Sequence, residues 1–178
     1  LYLTRVAAAV RSGWIAEIEG GVRAIWRRHD VSVDALHFRH FPAYEPWCRD
    51  HGPVLIVRAV AGTHERAIVD WHYNAWGGKY PPYDLDNAIP AHVARFRELP
   101  RYEPGMVLEG GGIEVNGAGT LITPESCLLN DNRNPGMTKM EVERKLRDYL
   151  GITRILWLNG GMVGDDTDGH IDQMTRFV

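Results

Sequence analysis

Four carboxylates and one imidazole stand within eight residues near the end of the sequence, at positions 165–172. Charges of one sign at this spacing repel one another unless a cation or a hydrogen-bonding framework lies among them. His170 and Asp172 are two positions apart, so in an extended backbone both side chains face the same way. Because an imidazole moves protons near neutral pH and a carboxylate binds cations, this pair predicts acid–base chemistry on a cationic substrate.

Two other interpretations of this stretch stay open. Aspartate and glycine favour solvated turns, so the composition also fits an acidic surface loop. A metal site made from His170, Asp172 and Asp168 is the second alternative, but no second histidine lies nearby, and we predict no metal and no cofactor. The apolar flanks at residues 155–158 and 177–178 favour chemistry, since they predict buried strands that hold the charges at the end of a core element.

Two further acidic residues, Asp50 and Glu109, precede His170 at intervals of about sixty residues. A strand end, a hairpin, a helix and a strand recur in the same order over each interval. Repeated strand-and-helix units that each place one polar residue at an inner strand end predict a closed, pseudo-symmetric ring. We therefore expect Asp50, Glu109, His170 and Asp172 to converge in one pocket on the axis of such a ring.

This pocket would require a cation, because burying a carboxylate without a partner is costly. A planar guanidinium with five donors matches bidentate carboxylates better than an ammonium does. Trp47 and Trp76 would line the pocket, and Trp47 would stack on the cation. The residues thus predict a guanidinium-binding pocket in which His170 moves protons.

Patterns of apolar and turn residues predict the elements that position these side chains. Asn116-Gly117 is the favoured tight-turn pair and predicts a hairpin between its flanking strands. Thr138 and Glu141 have the spacing of a capping box, which predicts a helix from there to about residue 150. The other predicted elements are a hairpin over 54–71, helices over 1–11, 21–28 and 86–99, and strands over 14–18, 35–41, 106–109 and 154–158.

The composition indicates one good hydrophobic core and no polyanionic partner. The chain has 178 residues, of which 44% are hydrophobic. Its formal net charge of −3 and pI near 6.2 provide no bulk basic field for nucleic acid or an anionic membrane. No run approaches the roughly 18 apolar residues that span a bilayer, and we expect a cytoplasmic protein.

Five ordered motifs resemble those of the agmatine deiminase and bacterial-type peptidyl-arginine deiminase family, within the guanidino-group-modifying superfamily. They are Trp47-Cys48-Arg49-Asp50-His51-Gly52-Pro53, Asn74-Ala75-Trp76-Gly77-Gly78-Lys79-Tyr80, Leu108-Glu109-Gly110-Gly111, Cys127-Leu128-Leu129-Asn130 with Asn132-Arg133-Asn134-Pro135, and Asp166-Thr167-Asp168-Gly169-His170-Ile171-Asp172. The resemblance implies an α/β fold, a pseudo-fivefold α/β propeller with about three modules in residues 1–178. It also implies hydrolysis of agmatine to N-carbamoylputrescine and ammonia without a metal or organic cofactor.

The resemblance further implies a role for each site residue. Asp50 and Asp172 would grip the guanidinium nitrogens, Glu109 would bind the same group and assist proton transfer, and His170 would act as general acid and then base. The remaining aspartates of the loop would form its own hydrogen-bonding framework. Two alternatives stay open: an arginine or peptidyl-arginine deiminase, and a non-catalytic module that binds guanidines or polyamines.

The attacking cysteine is the part that the motifs do not supply. In this family the nucleophile lies in a glycine-rich motif well beyond the position of Val178, and neither Cys48 nor Cys127 matches it. Cys127 has the character of a small buried hydrophobe. We therefore expect residues 1–178 to form a partial domain without its C-terminal modules, inactive alone and completed by a partner chain or in a homo-oligomer.

Overall fold

The computed structural model describes residues 12–162 and 164–178 and divides the chain into two compact units, Leu1–Pro46 and Trp47–Val178. The helix predicted over residues 1–11 lies outside the described residues. Among the described helices, none is long and apolar enough to cross a membrane.

The first unit is built on one long helix, α1 (Ser12–Arg28), which ends with two arginines at its negative pole. The prediction of a strand over 14–18 followed by a separate helix was wrong, because the helix runs through both segments. A predicted strand over 35–41 was also wrong: its described residues form no ladder. Phe38 of this segment instead contacts the Arg23 guanidinium at 4.9 Å, and His40 lies 3.0 Å from Glu19.

The second unit begins with the short helix α2 (Cys48–His51), followed by a three-stranded sheet. β1 (Val54–Val60) and β2 (Thr63–Val69) form the predicted antiparallel hairpin, and β3 (Arg101–Tyr102) lies parallel to β2. The connection from β2 to β3 contains the elements α3 (Ala75–Gly78), α4 (Asp84–Asn87) and α5 (Ile89–Arg97). The predicted single helix over 86–99 is therefore two helices, with a proline in the first turn of the second, where its missing N–H costs no hydrogen bond.

A second sheet has the same connectivity as the first. β4 (Glu114–Val115) and β5 (Thr120–Pro124) form the predicted Asn-Gly hairpin, and β6 (Arg154–Leu158) lies parallel to β5. The connection from β5 to β6 contains α6 (Glu125–Leu128) and α7 (Lys139–Leu150). The sixty-residue period thus corresponds to a real repeat of hairpin, helix and parallel strand in a mixed α/β fold.

Helix α7 begins and ends as its sequence predicts. The Thr138 hydroxyl accepts a hydrogen bond from the Glu141 amide, and the Glu141 carboxylate accepts one from the Thr138 amide. Gly151 ends the helix in the left-handed conformation at φ 66°. The capped helix packs Val142 and Leu146 into the core.

The hydrophobic core joins both sheets to α7 and holds the segment that leads into the site. The buried residues of this cluster are Val69, Trp71, Met106, Leu108, Ile113, Leu121, Cys127, Leu128, Val142, Leu146 and Ile152. The prediction of a strand over 106–109 was wrong, because this segment joins no sheet and makes only an isolated bridge between His72 and Val107. The Asn134 side chain takes the place of a neighbouring strand, because its amide bonds both Val107 N and Val107 O, at 2.9 and 3.0 Å. The strand predicted at 177–178 is also absent from the described residues.

Candidate active site

The three segments that carry Asp50, Glu109 and His170 meet at Gly111. This glycine lies in the 3-10 turn Gly110–Gly112, which follows the buried segment 106–109. Its amide donates to Asp50 Oδ1 at 3.0 Å. Its carbonyl accepts from the amides of Ile171 and Asp172, at 3.0 and 3.2 Å. A Cβ at this position would lie 2.8 Å from Asp50 Oδ1 and closer still to His170 Nδ1. The close approach of these segments therefore requires glycine.

Asp50 is carried by the short helix α2 and has both carboxylate oxygens engaged. Its Oδ1 accepts from Gly111, and its Oδ2 accepts from the indole of Trp76 at 3.1 Å. Burial raises the pKa of the Asp50 carboxyl, and nearby His170 and the two hydrogen bonds offset only part of that increase. An additional cation beside Asp50 would therefore stabilise its ionised form.

Trp76 reaches Asp50 from a strained stretch of backbone. Ala75 and Trp76 both have positive φ, 54° and 55°, a region that is unfavourable for residues with a Cβ. Asn74 stabilises this turn, since its side chain accepts from the Gly77 amide at 3.0 Å and donates to the Asn132 carbonyl at 2.9 Å. The sequence predicted this indole only as a wall of the pocket, whereas the structure makes it a hydrogen-bond donor.

His170 lies between two of the predicted carboxylates. Its Nδ1 is 3.7 Å from Asp50 Oδ1, and its Nε2 is 3.5 Å from Glu109 Oε2. The side chain is 5% exposed, and Nε2 has no hydrogen-bond partner among the described residues. An imidazole in this position can exchange a proton with a group that enters between the carboxylates.

Asp165 holds the His170 loop in place. One of its oxygens accepts from the amides of Gly169 and His170 at 3.0 Å each, and the Thr167 hydroxyl donates to both oxygens at 2.7 Å. Although partial burial acts in the opposite direction, these hydrogen bonds lower the pKa of the Asp165 carboxyl. This residue is part of the loop's framework, as predicted.

The other two aspartates of the loop also bind protein groups. Lys79 Nζ lies 2.7 Å from Asp168 Oδ1 and donates to the Asp166 carbonyl at the same distance. Tyr80 donates to Asp166 Oδ2, also at 2.7 Å, and Asn132 donates to Asp168 Oδ2 at 3.2 Å. These contacts fix the loop to the turn that carries the indole.

Arg133 is the charged residue of the cluster that the sequence reasoning missed. Its side chain and that of Glu109 are both fully buried, and its Nε lies 3.3 Å from each Glu109 oxygen. Its other nitrogens donate to the Thr167 carbonyl at 2.6 Å and to Asn132 at 3.1 Å. The protein itself therefore supplies one of the cations that the cluster of carboxylates requires. The sequence feature that could have indicated Arg133 is its place in one of the five motifs, as a lone arginine in a polar turn between buried segments. The sequence analysis assigned it no role.

The comparisons with known proteins confirm the family that the motifs resemble. A sequence model described as the Porphyromonas-type peptidyl-arginine deiminase family matches residues 7–178. The chain belongs to this family. Agmatine deiminase of Medicago truncatula is 38% identical over 189 residues, covering 100% of this chain and 50% of that protein. Agmatine deiminase of Pseudomonas syringae pv. tomato is 43% identical over 139 residues, covering 75% of this chain and 37% of that protein.

The solved structures give the same result for the fold. Agmatine deiminase of Enterococcus faecalis matches with a TM-score of 0.78 and 29% identity, covering 99% of this chain and 54% of that one. The mixed α/β fold is thus that of the deiminase family. The chain spans about half of the length of the Medicago relative and 37% of the length of the Pseudomonas relative.

Two other predicted binding residues of this deiminase-family chain have accessible side chains. Asp172 is partly exposed, and its carboxylate makes no hydrogen bond or ion pair with a described residue. Trp47 is 56% exposed, and among the described residues its ring stacks on no aromatic group and no cation. Both side chains are therefore accessible to solvent.

The two cysteines of this deiminase-family chain differ in burial. Cys48 is exposed, whereas Cys127 is fully buried with its Sγ 4.0 Å from Glu109 Oε2. Burial, reinforced by the negative charge of Glu109, raises the pKa of the Cys127 thiol to about 12. Since the thiolate is the attacking species, Cys127 is unreactive at neutral pH.

Proposed function

We propose that this chain carries the substrate-binding and acid–base half of an agmatine deiminase. The full reaction converts agmatine and water to N-carbamoylputrescine and ammonia. The observation that carries the proposal is the position of His170, bracketed by Asp50 and Glu109 at the Gly111 turn. A buried imidazole between carboxylates suits the binding of a cation and the transfer of a proton to its leaving nitrogen.

The substrate guanidinium would bind on the Asp50 side of the cluster. Glu109 already has Arg133 as its partner, whereas among the described residues Asp50 has no cationic side chain other than His170 within its contacts. Asp172 would grip the guanidinium from the solvent side, and Trp47 would close over its face. In this arrangement Glu109 keeps a proton-handling role toward His170.

The proposed chemistry runs through a covalent intermediate. A thiolate attacks the guanidinium carbon and forms a C–S bond, and the tetrahedral adduct expels ammonia as His170 gives its proton to the departing nitrogen. The neutral His170 then removes a proton from water, whose oxygen attacks the same carbon. The C–S bond breaks, and the urea of N-carbamoylputrescine is released with the thiol.

The thiol in this scheme would come from outside residues 1–178. We propose that it is supplied by the remainder of a longer protein or by a partner chain, in a cytoplasmic enzyme. The repeat of hairpin, helix and parallel strand would supply two of the about three modules expected in residues 1–178, within a pseudo-fivefold α/β propeller that surrounds the site. The 50% coverage of the Medicago truncatula relative supports this arrangement.

Calorimetric titration of agmatine into this chain tests the binding half of the proposal. Asp172→Asn removes one arm of the proposed grip and should weaken binding by about fivefold, as expected for the loss of a charge pair that is partly exposed. Asp166→Asn is the matched control, because this aspartate belongs to the same loop but binds Tyr80 instead. Unmeasurable binding by the parent chain, or equal affinities for the two variants, would refute the proposal.

A second candidate is a deiminase that acts on arginine or peptidyl-arginine, and the description of the matched family model favours it. These substrates share the guanidinium with agmatine but differ in the groups at the far end of the methylene chain. Competition of free arginine and an arginine-containing peptide against bound agmatine separates the alternatives. Stronger displacement by either competitor than by agmatine itself would assign the second function.

A further inference from the structure

Cys127 is a buried thiol that the proposed reaction does not use. Its Sγ faces Glu109 Oε2 at 4.0 Å, and His170 Nε2 lies 3.5 Å from the same oxygen. One donor atom from each residue lies within 4.8 Å of the other two, and all three residues are buried. Sulfur, carboxylate oxygen and imidazole nitrogen are the donor types that zinc binds in proteins.

We propose that Glu109, Cys127 and His170 form an inhibitory binding site for Zn²⁺ or a chemically similar thiophilic cation. The metal would take Sγ of the cysteine, Oε2 of the glutamate and Nε2 of the histidine. A fourth position would remain for water. Metal binding itself does not depend on the proposed reaction, whereas the inhibition does, because Glu109 and His170 would serve both.

The distances require only small movements. With bonds of about 2.0–2.3 Å, the donor atoms of a tetrahedral zinc site stand about 3.3–3.8 Å apart. The nitrogen-to-oxygen separation of 3.5 Å already fits, and the sulfur-to-oxygen separation of 4.0 Å needs a few tenths of an ångström. The sulfur-to-nitrogen separation is at most 4.8 Å and would close by up to about 1 Å.

The histidine is oriented as a metal ligand would be. Its Nε2 points into the cluster, buried and without a hydrogen-bond partner among the described residues. Its other nitrogen, Nδ1, faces Asp50 Oδ1 at 3.7 Å. Both nitrogens face a carboxylate, but Glu109 Oε2 would bind the metal, so the proton would lie on Nδ1 beside Asp50 and the lone pair of Nε2 would be left for the metal.

Arg133 is compatible with this site because Glu109 has two oxygens. The arginine Nε lies 3.3 Å from both Oε1 and Oε2, so Oε1 can keep the arginine while Oε2 turns to the metal. Binding displaces the thiol proton of Cys127 to solvent. The metal and Arg133 then carry three positive charges against three negative charges, on Glu109, Asp50 and the Cys127 thiolate.

Metal addition to a Cys48→Ser chain tests the site, because Cys127 is then the only cysteine. Cd²⁺ should produce one equivalent of the ultraviolet thiolate-to-metal charge-transfer band, and Zn²⁺ should bind with one-to-one stoichiometry by calorimetry. A further Cys127→Ser change should lower the Zn²⁺ affinity at least about tenfold. X-ray absorption of the Zn²⁺-loaded Cys48→Ser chain should show one sulfur ligand, a measurement that needs no change at the buried position.

The absence of the charge-transfer band, a zinc spectrum without sulfur, or equal Zn²⁺ affinities with and without the thiol would overturn the proposal. The inhibitory part rests on the proposed function, and Zn²⁺ should compete with agmatine for the chain. Sulfur-ligated zinc that leaves agmatine affinity unchanged would uphold the metal site while contradicting both inhibition and the substrate role of Glu109 and His170. The two proposals can therefore fail separately.

Discussion

Arg133→Met removes the cation that accompanies a fully buried carboxylate. The Arg133 and Glu109 side chains are both 0% exposed. Breaking such a pair from one side costs about 3–5 kcal/mol, because the remaining charge stays buried without a partner. We therefore expect the free energy of unfolding to fall by about 4 kcal/mol in Arg133→Met, and by a similar amount in Glu109→Gln.

The double variant should be no less stable than either single variant. Once both charges are gone, neither buried group carries an uncompensated charge, so the two losses should not add. Independent effects would sum to about 8 kcal/mol, whereas a double variant no less stable than a single variant requires a coupling energy of at least about 4 kcal/mol in the double-mutant cycle. Urea unfolding followed by tryptophan fluorescence and circular dichroism measures all four proteins. If a single variant is unfolded and the double variant is folded, the two residues are coupled even though no coupling energy can be measured.

An exposed ion pair of the same chain provides the matched control. Glu143 and Arg147 lie one turn apart on α7 at 3.0 Å, with side chains 24% and 45% exposed. Arg147→Met should cost only about 0.3–0.5 kcal/mol. The reasoning about Arg133 would be refuted by a loss below about 1 kcal/mol in Arg133→Met, or by additive losses in the cycle.

Three further predictions concern the frame of the site. Gly111→Ala should weaken agmatine binding more than about tenfold in calorimetry, because its Cβ would displace Asp50 and His170; an affinity within twofold of the parent would contradict this. Thr138→Ala should lower the unfolding free energy of the chain in urea by about 1 kcal/mol through loss of the α7 cap, and a change below about 0.3 kcal/mol would count against the cap. Asp165→Asn should lower the unfolding free energy of the chain at neutral pH. The difference from the parent should shrink as the pH falls below 3.8, the ordinary pKa of the carboxyl, because a group with a lowered pKa contributes stability only while it is ionised. A difference that is the same at neutral pH and at low pH would argue against the Asp165 hydrogen bonds.

The sequence predicted those parts of the fold whose causes are local. The Asn116-Gly117 pair specifies a hairpin by its own backbone preference, and the Thr138 capping box specifies where α7 begins. The sixty-residue period indicated that similar units recur, which the two sheets confirm. The hairpin and capping signals each lie within a few residues of the structure that they determine.

The errors arose where a distant group replaced the expected partner. Residues 35–41 alternate as a strand does, but their side chains contact α1, through pairs such as Phe38 with Arg23. Residues 106–109 are extended and buried, yet Asn134 supplies hydrogen bonds that a strand would otherwise provide. Periodicity reports which side chains are buried and does not report which element covers them.

The same limit applies to the candidate site. The acidic residues and His170 could be selected by type and spacing, and the structure brings Asp50, Glu109 and His170 together. The partner of Glu109 could not be selected in this way, because Arg133 is 24 residues away and becomes its neighbour only through the fold. A cluster of carboxylates in a sequence thus predicts a need for positive charge without stating how much of it the protein supplies.

The left-handed turn at Ala75 and Trp76 is backbone strain that the packing of one indole outweighs. Two consecutive non-glycine residues at φ 54° and 55° cost of the order of 1–3 kcal/mol each. Glycine at the second position would relieve part of that strain but remove a buried indole that packs against Tyr73 and donates to Asp50. Losing the packing of a buried tryptophan costs about 3–5 kcal/mol, which exceeds the strain relieved. Stability and the site therefore both favour this tryptophan, and a stabilising substitution at this turn is expected at Ala75, where glycine relieves the strain and removes only one methyl group.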